Sequence, residues 1–313
     1  MHLATNHSQN IIAPDCHRQP PHRKHPLSTK LSISPTEIIR LEHGKSLSTN
    51  DFVAVEEPLE IRLTGANLEP NTQKNIAITM RTPGDDEALA AGFLFTEGII
   101  QNHQDVQSVV ETDNTNNQSL VVTLRPEVPV DLTKLERHFY TTSSCGVCGK
   151  SSLSAVQQQC NIELPKTQWK ITPNILYSLP ESLRKQQANF EQTGGIHGCA
   201  LFDLDGQLIL SSEDVGRHNA LDKLIGQCLM NAQPTSAIPS IPLNNHILLL
   251  SGRISFELVQ KAAMAGVRLI AAVGAPSSLA IDLAEEMGIT LVGFLRGERC
   301  NIYTHHHRIS SAS

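Results

Sequence analysis

The first half of the chain alternates apolar and polar residues in short runs, which is the pattern of strands with one buried face. These runs are 58–65, 74–81, 107–112 and 119–125. Between the second and third runs, residues 84–100 favour a helix, because their acidic start suits the helix dipole and Gly98 can end it. Strands, one helix and a final hairpin predict a small α+β domain over residues 41–142.

The second half alternates short apolar runs with helical patterns. HILLLS, RLIAAVG and ITLVGFL are typical of strands buried on both faces, and SFELVQKAAMAG and SSLAIDLAEEMG are typical of the helices between them. This alternation predicts parallel strands joined by right-handed crossovers. We therefore expect a three-layer domain over residues 151–308, in which helices flank a mixed, largely parallel sheet. This domain has an α/β fold, and together with the small first domain the chain is α+β overall.

The segment before this alternation favours helices and one hairpin. Residues 172–194 have a helical pattern, which Pro180 is expected to break or kink. Residues 199–213 predict a hairpin that turns at its Asp-Gly pair. Residues 215–230 place their apolar side chains on one face, which predicts an amphipathic helix.

The N-terminal region lacks such periodicity. It is rich in His, Pro, Ser, Thr and Asn, so it cannot bury enough apolar surface to offset the cost of ordering. We therefore predict a disordered tail over residues 1–40. Its histidines, and those of the final THHHR, leave metal binding by the tails open, although solvated low-complexity tails are far commoner.

Composition excludes several classes of protein. Hydrophobic residues make up 40% and charged residues 18% of the chain, and the net charge is −6 with a pI of about 6.1. A protein that coats nucleic acid would be basic, so no nucleic-acid partner is expected. No apolar run is long enough to span a membrane and no signal-peptide pattern is present, so we expect a cytoplasmic protein without a membrane partner.

Small, polar and basic residues follow the predicted parallel strands. Arg253 follows the first strand, Ser277 the second, and Arg296 and Arg299 the third. Ligands of open parallel sheets bind beyond the carboxyl ends of the strands, where helix N-termini and arginines both favour phosphate oxygens. The pattern predicts a phosphate or pyrophosphate site. The alternative is that Ser277 only caps a helix and the arginines are only solvated.

The segment EDVGRHNALDK, residues 213–223, begins a predicted helix. Arg217 and His218 lie one turn into this helix and are candidates for the same cleft. The acidic residues at its start suit the helix dipole, which is a purely structural explanation. His197 lies in a Gly-rich turn, where a single histidine is usually structural or solvated, and we keep it as a further candidate.

Two of the seven cysteines, Cys145 and Cys148, form a CxxC pair in YTTSSCGVCGK. The odd number and scattered spacing of the cysteines favour free thiols in a reducing compartment over a disulfide framework. A glycine after each of the paired cysteines predicts a mobile loop over residues 143–150. Such a loop can present sulfur at more than one place.

Three roles for the thiol pair are open. A structural zinc site needs four ligands, so Cys160, Cys199 or His197 would have to complete it. A redox disulfide needs the pair at the start of a helix, which the sequence after the loop permits. Sulfur carriage needs a thiolate, which Lys150 and the N–H groups of that helix would favour. The zinc deaminase signature, H-x-E followed by P-C-x-x-C, is not matched.

The chain carries a series of segments, in order between residues 50 and 306, that resembles the FdhD family of formate dehydrogenase accessory sulfur carriers. They are GFLFTEGII, SSCGVCGK, TGGIHGCALF, EDVGRHNALDKLIG, SGRISFELVQKAAMAGV, APSSLAIDLAEE and LVGFLRGERCNIYTH. Each segment alone is modest evidence, whereas the ordered series is highly specific. The resemblance implies that the second domain has a cytidine-deaminase-like fold without the zinc ligands.

The resemblance also implies an activity, a substrate and partners. Such proteins accept sulfur as a cysteine persulfide from an L-cysteine desulfurase. They pass it to the molybdenum (or tungsten) bis-guanine-dinucleotide cofactor, Mo-bis(molybdopterin guanine dinucleotide), before this cofactor enters formate dehydrogenase. The cofactor is thus a bound substrate, and no permanently bound metal is expected.

The resemblance implies roles for particular residues of this chain. The persulfide position matches Cys145, and the second thiol matches Cys148. The cofactor-binding segment matches Phe294, Leu295, Arg296, Gly297, Glu298 and Arg299. The other candidates for cofactor binding are Arg253, Ser277, His197, Arg217 and His218.

A second hypothesis is a cofactor-binding chaperone whose CxxC pair is structural or redox-active rather than sulfur-carrying. The sequence does not encode the oligomeric state. A homodimer is kept as a hypothesis, because two-fold dimers are the commonest soluble oligomers.

Overall fold

The computed structural model describes residues 31–65, 68–69, 72–114, 117–130, 168–231 and 236–310. The thiol pair, Lys150, Cys160 and the predicted loop over residues 143–150 lie outside these residues. The predicted domain boundary beside that loop also lies outside them, as does the tail up to residue 30. The division into domains and the position of the thiol pair therefore stay predictions.

The described residues form strands, helices and two short 3-10 turns, at His103–Asp105 and His306–Arg308. The strands are β1 (Ile33–Glu42), β2 (Lys45–Ala54), β3 (Glu57–Gly65), β4 (Lys74–Arg81), β5 (Val106–Asn114), β6 (Asn117–Leu124), β7 (His197–Phe202), β8 (Leu208–Asp214), β9 (Ile247–Leu250), β10 (Leu269–Ala272), β11 (Thr290–Arg296) and β12 (Arg299–Thr304). The helices are α1 (Asp86–Thr96), α2 (Pro173–Arg184), α3 (Ala188–Thr193), α4 (Arg217–Met230), α5 (Phe256–Met264) and α6 (Ser278–Glu286).

A four-stranded sheet in the order β4-β3-β6-β5 is formed by the first half of the chain. The strands and the helix predicted there are confirmed as β3, β4, α1, β5 and β6. Alternate residues of β3 point into the core, where Leu59, Ile61 and Leu63 are almost fully buried against α1. The alternation of apolar and polar residues predicted these strands correctly, because one face of this sheet is buried.

The strand β1 was not predicted, and it corrects the proposed end of the tail. The tail was placed over residues 1–40, whereas β1 begins at Ile33 and pairs with β2 along its whole length. Most side chains of this hairpin are exposed. Without a buried face, the sequence of β1 shows no alternation that would have marked it as a strand.

A six-stranded mixed sheet in the order β12-β11-β10-β9-β7-β8 is formed by the second half of the chain. The strands β9, β10 and β11 pair in parallel, as predicted from the alternation of strand and helix. The remaining pairs are antiparallel, including the predicted hairpin, which is confirmed as β7 and β8. The parallel character thus belongs to the centre of the sheet.

Helices cover both faces of this sheet, which gives three layers and confirms the predicted fold class. In β9, Leu248 and Leu250 pack in the core cluster that contains α4, α5 and α6, whereas Ile247 and Leu249 pack in the cluster that contains α2. This alternation of apolar side chains between two buried faces explains why the strands read as continuous apolar runs. Pro180 lies inside α2 and does not end it, contrary to one of the two predicted outcomes.

The helices α1 and α4 join the two sheets through one shared core. A Cβ atom on Gly92 of α1 would overlap the backbone at Asp222, and one on Gly226 of α4 would overlap the backbone at Ala88. A charged pair is buried beside this close approach. Lys261 of α5 lies 2.8 Å from the carboxylate of Asp222 on α4, and both residues are buried. No described helix is long and apolar enough to cross a membrane.

Candidate functional site

The predicted site residues of the described chain meet at one edge of the six-stranded sheet. The strand β7 is antiparallel to β9, and β8 is antiparallel to β7, so the end of β8 lies at the same edge as the ends of β9, β10 and β11. The start of β7 lies there too, because His197 is paired with Asp214. We call this side of the sheet the carboxyl edge. It carries His197, Arg217, His218, Arg253, Ser277 and residues 294–299.

The turns after β9, β10 and β11 form a continuous rim of backbone along this edge. The Gly274 N–H donates to the carbonyl of Gly252 (3.1 Å), and the Phe294 N–H donates to the carbonyl of Gly274 (3.0 Å). The Ile254 N–H donates in turn to the carbonyl of Ala275 (3.0 Å). Glycine is required at 274, because a Cβ atom there would lie 2.6 Å from the carbonyl oxygen of Gly252.

Exposed arginines stand along the rim. Arg296 and Arg299 lie directly opposite each other in the register of β11 and β12. Their side chains and that of Arg253 are exposed, and none of the three forms a hydrogen bond or ion pair with a described residue. Like charges at opposed positions repel each other, so an anion between them would relieve this repulsion. The positions fit a ligand with phosphate groups.

The residues of the segment 294–299 differ in what they can offer a ligand. Phe294 has a left-handed backbone (φ 55°), which is unusual for a bulky residue and costs on the order of 1–3 kcal/mol, and its ring is 40% exposed. Leu295 is fully buried in the core, so only its backbone can face the edge. Gly297 and Glu298 form the exposed turn between the two arginines.

The helices α5 and α6 both begin at this edge with a serine in the N-cap position. The Ala280 N–H donates to the Ser277 hydroxyl (3.3 Å), so Ser277 caps its own helix, in agreement with the structural alternative. The Ser255 side chain makes no such cap. Its hydroxyl is instead 3.1 Å from Nε2 of His218. Ser255 was not singled out from the sequence, and nothing in the local sequence distinguishes it from Ser277.

The charges of Arg217 and Arg253 both act on His197. The pKa of His197 is lowered by burial and by the charges of Arg217 and Arg253, with Asp214 opposing them. The His197 ring packs on the turn after β9, because a Cβ atom on Gly252 would lie 3.3 Å from Nδ1. Nε of Arg217 is buried, and within the described chain it has no hydrogen-bond partner. Neutral His197 thus leaves the positive charge of this corner to the arginines.

His218 is held neutral at physiological pH. Burial lowers its pKa to about 4, with further lowering by Arg217 and Lys261 and opposition from Glu257 and Glu97. The acidic residues at the start of the segment have structural partners, but these are not the first turn of the helix that follows them, as the explanation from the helix dipole had it. Glu213 accepts from the N–H groups of α3, and Asp214 accepts from the N–H groups of Thr82 and Gly216.

The described thiols are not suited to sulfur chemistry. Burial raises the pKa of Cys199 and Cys300, and it raises that of Cys228 to about 12. Cys199 was a candidate for a zinc ligand, but its thiol donates to the carbonyl of Ala220 inside the core. Within the described ranges, no group of His, Cys, Asp and Glu is placed to hold a metal ion. Cys145 and Cys148, the predicted sulfur carriers, lie outside the described residues.

Comparisons with known proteins agree on one family. A model of the FdhD/NarQ family matches residues 54–310. A sulfur carrier protein FdhD of Streptomyces coelicolor is 48% identical, over 88% of this chain and 94% of the relative, and one of Saccharolobus solfataricus is 40% identical over 87% and 96%. A solved structure from Desulfotalea psychrophila, described as a formate dehydrogenase accessory protein, superposes with a TM-score of 0.66 at 25% identity, over 90% of this chain and 100% of that one.

Proposed function

Because the chain belongs to the FdhD/NarQ family, we propose that it is a sulfur carrier in the maturation of formate dehydrogenase. It takes persulfide sulfur from an L-cysteine desulfurase and transfers it to Mo-bis(molybdopterin guanine dinucleotide), which is its bound substrate. The observation that carries the proposal is the carboxyl edge with Arg253, Arg296 and Arg299, whose charges no described residue neutralises.

Loading of sulfur takes place on Cys145. Its thiolate attacks the terminal sulfur of the persulfide on the desulfurase, so a new S–S bond forms on Cys145 and the S–S bond of the desulfurase breaks. The desulfurase cysteine leaves as a thiolate, and no external oxidant is needed. The described thiols of the core cannot compete, because the raised pKa of Cys199 and of Cys228 keeps both protonated.

Delivery uses Cys148 as the second thiol. Its thiolate attacks Sγ of Cys145, which forms a Cys145–Cys148 disulfide and releases the terminal sulfur as hydrosulfide to the metal of the cofactor. Two electrons pass from the thiol pair to the sulfur in this step. A cellular dithiol of the thioredoxin class then reduces the disulfide and completes the cycle.

The carboxyl edge holds the guanine dinucleotide part of the cofactor. Arg253 and the opposed pair Arg296 and Arg299 bind its pyrophosphates, and the exposed ring of Phe294 offers an apolar surface to the base. Arg217 and His197 form the far end of the same edge.

The partners follow from this role. The protein meets the desulfurase to load sulfur and formate dehydrogenase to hand over the finished cofactor, and it acts in the cytoplasm, where free thiols persist. A homodimer is the proposed assembly, as two-fold dimers are the commonest soluble oligomers. No nucleic acid and no membrane take part.

Mass spectrometry of the intact protein tests the proposal after incubation with a desulfurase and L-cysteine. We expect the mass of one added sulfur atom on Cys145, removed by dithiothreitol, retained in Cys148→Ala and absent from Cys145→Ala. An adduct that persists in Cys145→Ala and is lost in Cys148→Ala would reverse the two roles. No adduct on either thiol, together with stoichiometric zinc that the double variant loses, would favour a cofactor-binding chaperone.

A further inference from the structure

The two serines at the starts of α5 and α6 have the same backbone but different partners. Both are N-cap residues in the extended region, Ser255 at φ −97°, ψ 167° and Ser277 at φ −81°, ψ 164°. A serine in this position normally accepts a hydrogen bond from the first turn of its own helix, as Ser277 does. The Ser255 hydroxyl lies instead against Nε2 of His218.

The surroundings of His218 explain why it takes this hydroxyl. Oε2 of Glu257 lies 3.8 Å from the same Nε2, which favours the tautomer with its proton on that nitrogen. The charged groups around the ring are Arg217 on α4, Glu257 and Lys261 on α5, and Glu97 at the end of α1, and burial keeps the pKa of the ring at about 4. A neutral ring therefore donates from Nε2 to the Ser255 hydroxyl.

We infer that His218 is a positioning residue that acts through Ser255 and does not itself contact the substrate. By holding the Ser255 hydroxyl, it keeps the first N–H groups of α5 uncapped. These donors directly follow the turn that carries Arg253, one of the three arginines without a described partner, and they join it in binding a phosphate group. The inference rests on the proposed binding of a guanine nucleotide at the carboxyl edge.

A specific pattern of variants follows. When His218 is removed, the Ser255 hydroxyl is free to turn and cap its own helix, which takes up the donors that the phosphate would use. Removing the Ser255 hydroxyl as well abolishes this competition. Removal of the Ser255 hydroxyl should therefore restore the phosphate binding that is lost when His218 is removed. If His218 contributed only packing, the second substitution would not restore binding.

The experiment is calorimetric titration of the full-length protein with GDP, the nucleotide fragment of the proposed substrate. We expect His218→Ala to weaken GDP binding by about 5- to 10-fold, on the scale of one ordinary hydrogen bond. The double variant His218→Ala/Ser255→Ala should return to within about 2-fold of the parent protein, as should Ser255→Ala alone. His218→Gln, whose side-chain amide can donate to Ser255, should retain most of the affinity.

Different failures point to different parts of the account. If the parent protein does not bind GDP, the proposed nucleotide site is wrong and the role of His218 falls with it. If the parent binds GDP and the double variant is no better than His218→Ala, the inference is wrong while the nucleotide site stands. Thermal unfolding of each variant identifies any variant that does not fold. If His218→Ala does not fold, GDP binding is compared between the parent protein and His218→Gln, which keeps the hydrogen bond to Ser255.

Discussion

The two edges of the six-stranded sheet use arginine in opposite ways. At the amino edge, where β10 and β11 begin, Arg268 donates to the carbonyl of Met287 (2.7 Å) and Arg308 donates to the hydroxyl of Thr290 (2.9 Å). Arg308 also lies 5.9 Å from the centre of the Trp169 ring. At the carboxyl edge, Arg253, Arg296 and Arg299 have no such partners among the described residues.

This difference separates structural charges from charges available to a ligand. At the amino edge, Arg268 donates to the carbonyl of the residue that ends α6 and Arg308 donates to a hydroxyl of β11, so both arginines contribute to the fold. At the carboxyl edge, the backbone groups of neighbouring turns form hydrogen bonds with one another, so the turns do not need the arginine side chains as donors. Positive charge without a partner beyond the ends of parallel strands is the arrangement that the proposed anion site requires.

The largest expected effect comes from closing the tight turn at the carboxyl edge with Gly274→Val. The new Cβ atom would lie 2.6 Å from the Gly252 carbonyl oxygen, so the backbone of both turns must move. We expect a loss of about 3 kcal/mol in the free energy of unfolding and no measurable GDP binding. Gly195→Ala is the control, because a Cβ atom there meets its nearest neighbour at 3.8 Å. Equal stability of the two variants in urea unfolding would contradict the described rim.

Two variants, one at each edge, test directly whether the arginines of the two edges have different roles. Replacing Arg253, Arg296 and Arg299 together with Gln should weaken GDP binding by about 100-fold, with little change in stability, because these side chains hold no described partner. Thr290→Val at the amino edge should do the reverse. It removes one acceptor of Arg308 and the hydroxyl that donates to the carbonyl of His305, and it lowers stability by about 1–2 kcal/mol, with GDP binding unchanged. If both variants lose binding equally, the edges do not differ as described.

The pH dependence of stability should report His218, the half-buried histidine at the start of α4. The pKa of His218 in the folded protein is about 4, below the ordinary value of about 6.5. As the pH falls, the unfolded chain therefore binds a proton before the folded protein does. The stability is fully present above pH ~6.5 and is lost as the pH falls toward 4, by about 2 kcal/mol for a ring that is partly exposed.

The control for this titration is His218→Gln, which cannot take up the proton. Urea unfolding of both proteins between pH 4 and 7 should give a shallower loss of stability for the variant. Parallel curves would mean that His218 has an ordinary pKa and is more exposed than described.

The smallest expected effect distinguishes the two helix starts. Ser277→Ala removes a hydrogen-bonded cap and should cost about 1 kcal/mol of stability. Ser255→Ala removes a hydroxyl that caps nothing, so its cost should be clearly smaller. Equal losses in thermal unfolding would show that Ser255 caps α5 in solution and would weaken the contrast on which the role of His218 depends.

The sequence predicted the carboxyl edge well because strand direction alone decides it. Apolar runs alternating with helices imply parallel strands, and whatever follows those strands must meet at one edge. This placed Arg253, Ser277 and Arg296 together without any knowledge of side-chain contacts. The strands β3 to β6 could be predicted equally well, because a sheet with one buried face alternates apolar and polar residues along each strand.

Other features depend on contacts between distant parts of the chain, and no local pattern encodes them. Whether Ser255 caps its helix is decided by His218, which lies on another helix. The burial of Leu295 follows from packing against α2, although its neighbours Phe294 and Arg296 are exposed. The hairpin β1–β2 escaped prediction because neither of its faces is consistently buried.

The most direct test of the account is a single-turnover transfer of labelled sulfur. The protein is first charged by a desulfurase with radiolabelled L-cysteine, freed of the desulfurase, and then mixed with the unsulfurated molybdenum cofactor. We predict that the label leaves Cys145 for the cofactor in the parent protein, and that it stays on Cys145 when Arg253, Arg296 and Arg299 are all replaced with Gln. Discharge at the same rate from both proteins, or a parent protein that never carries the label on Cys145, would contradict the account.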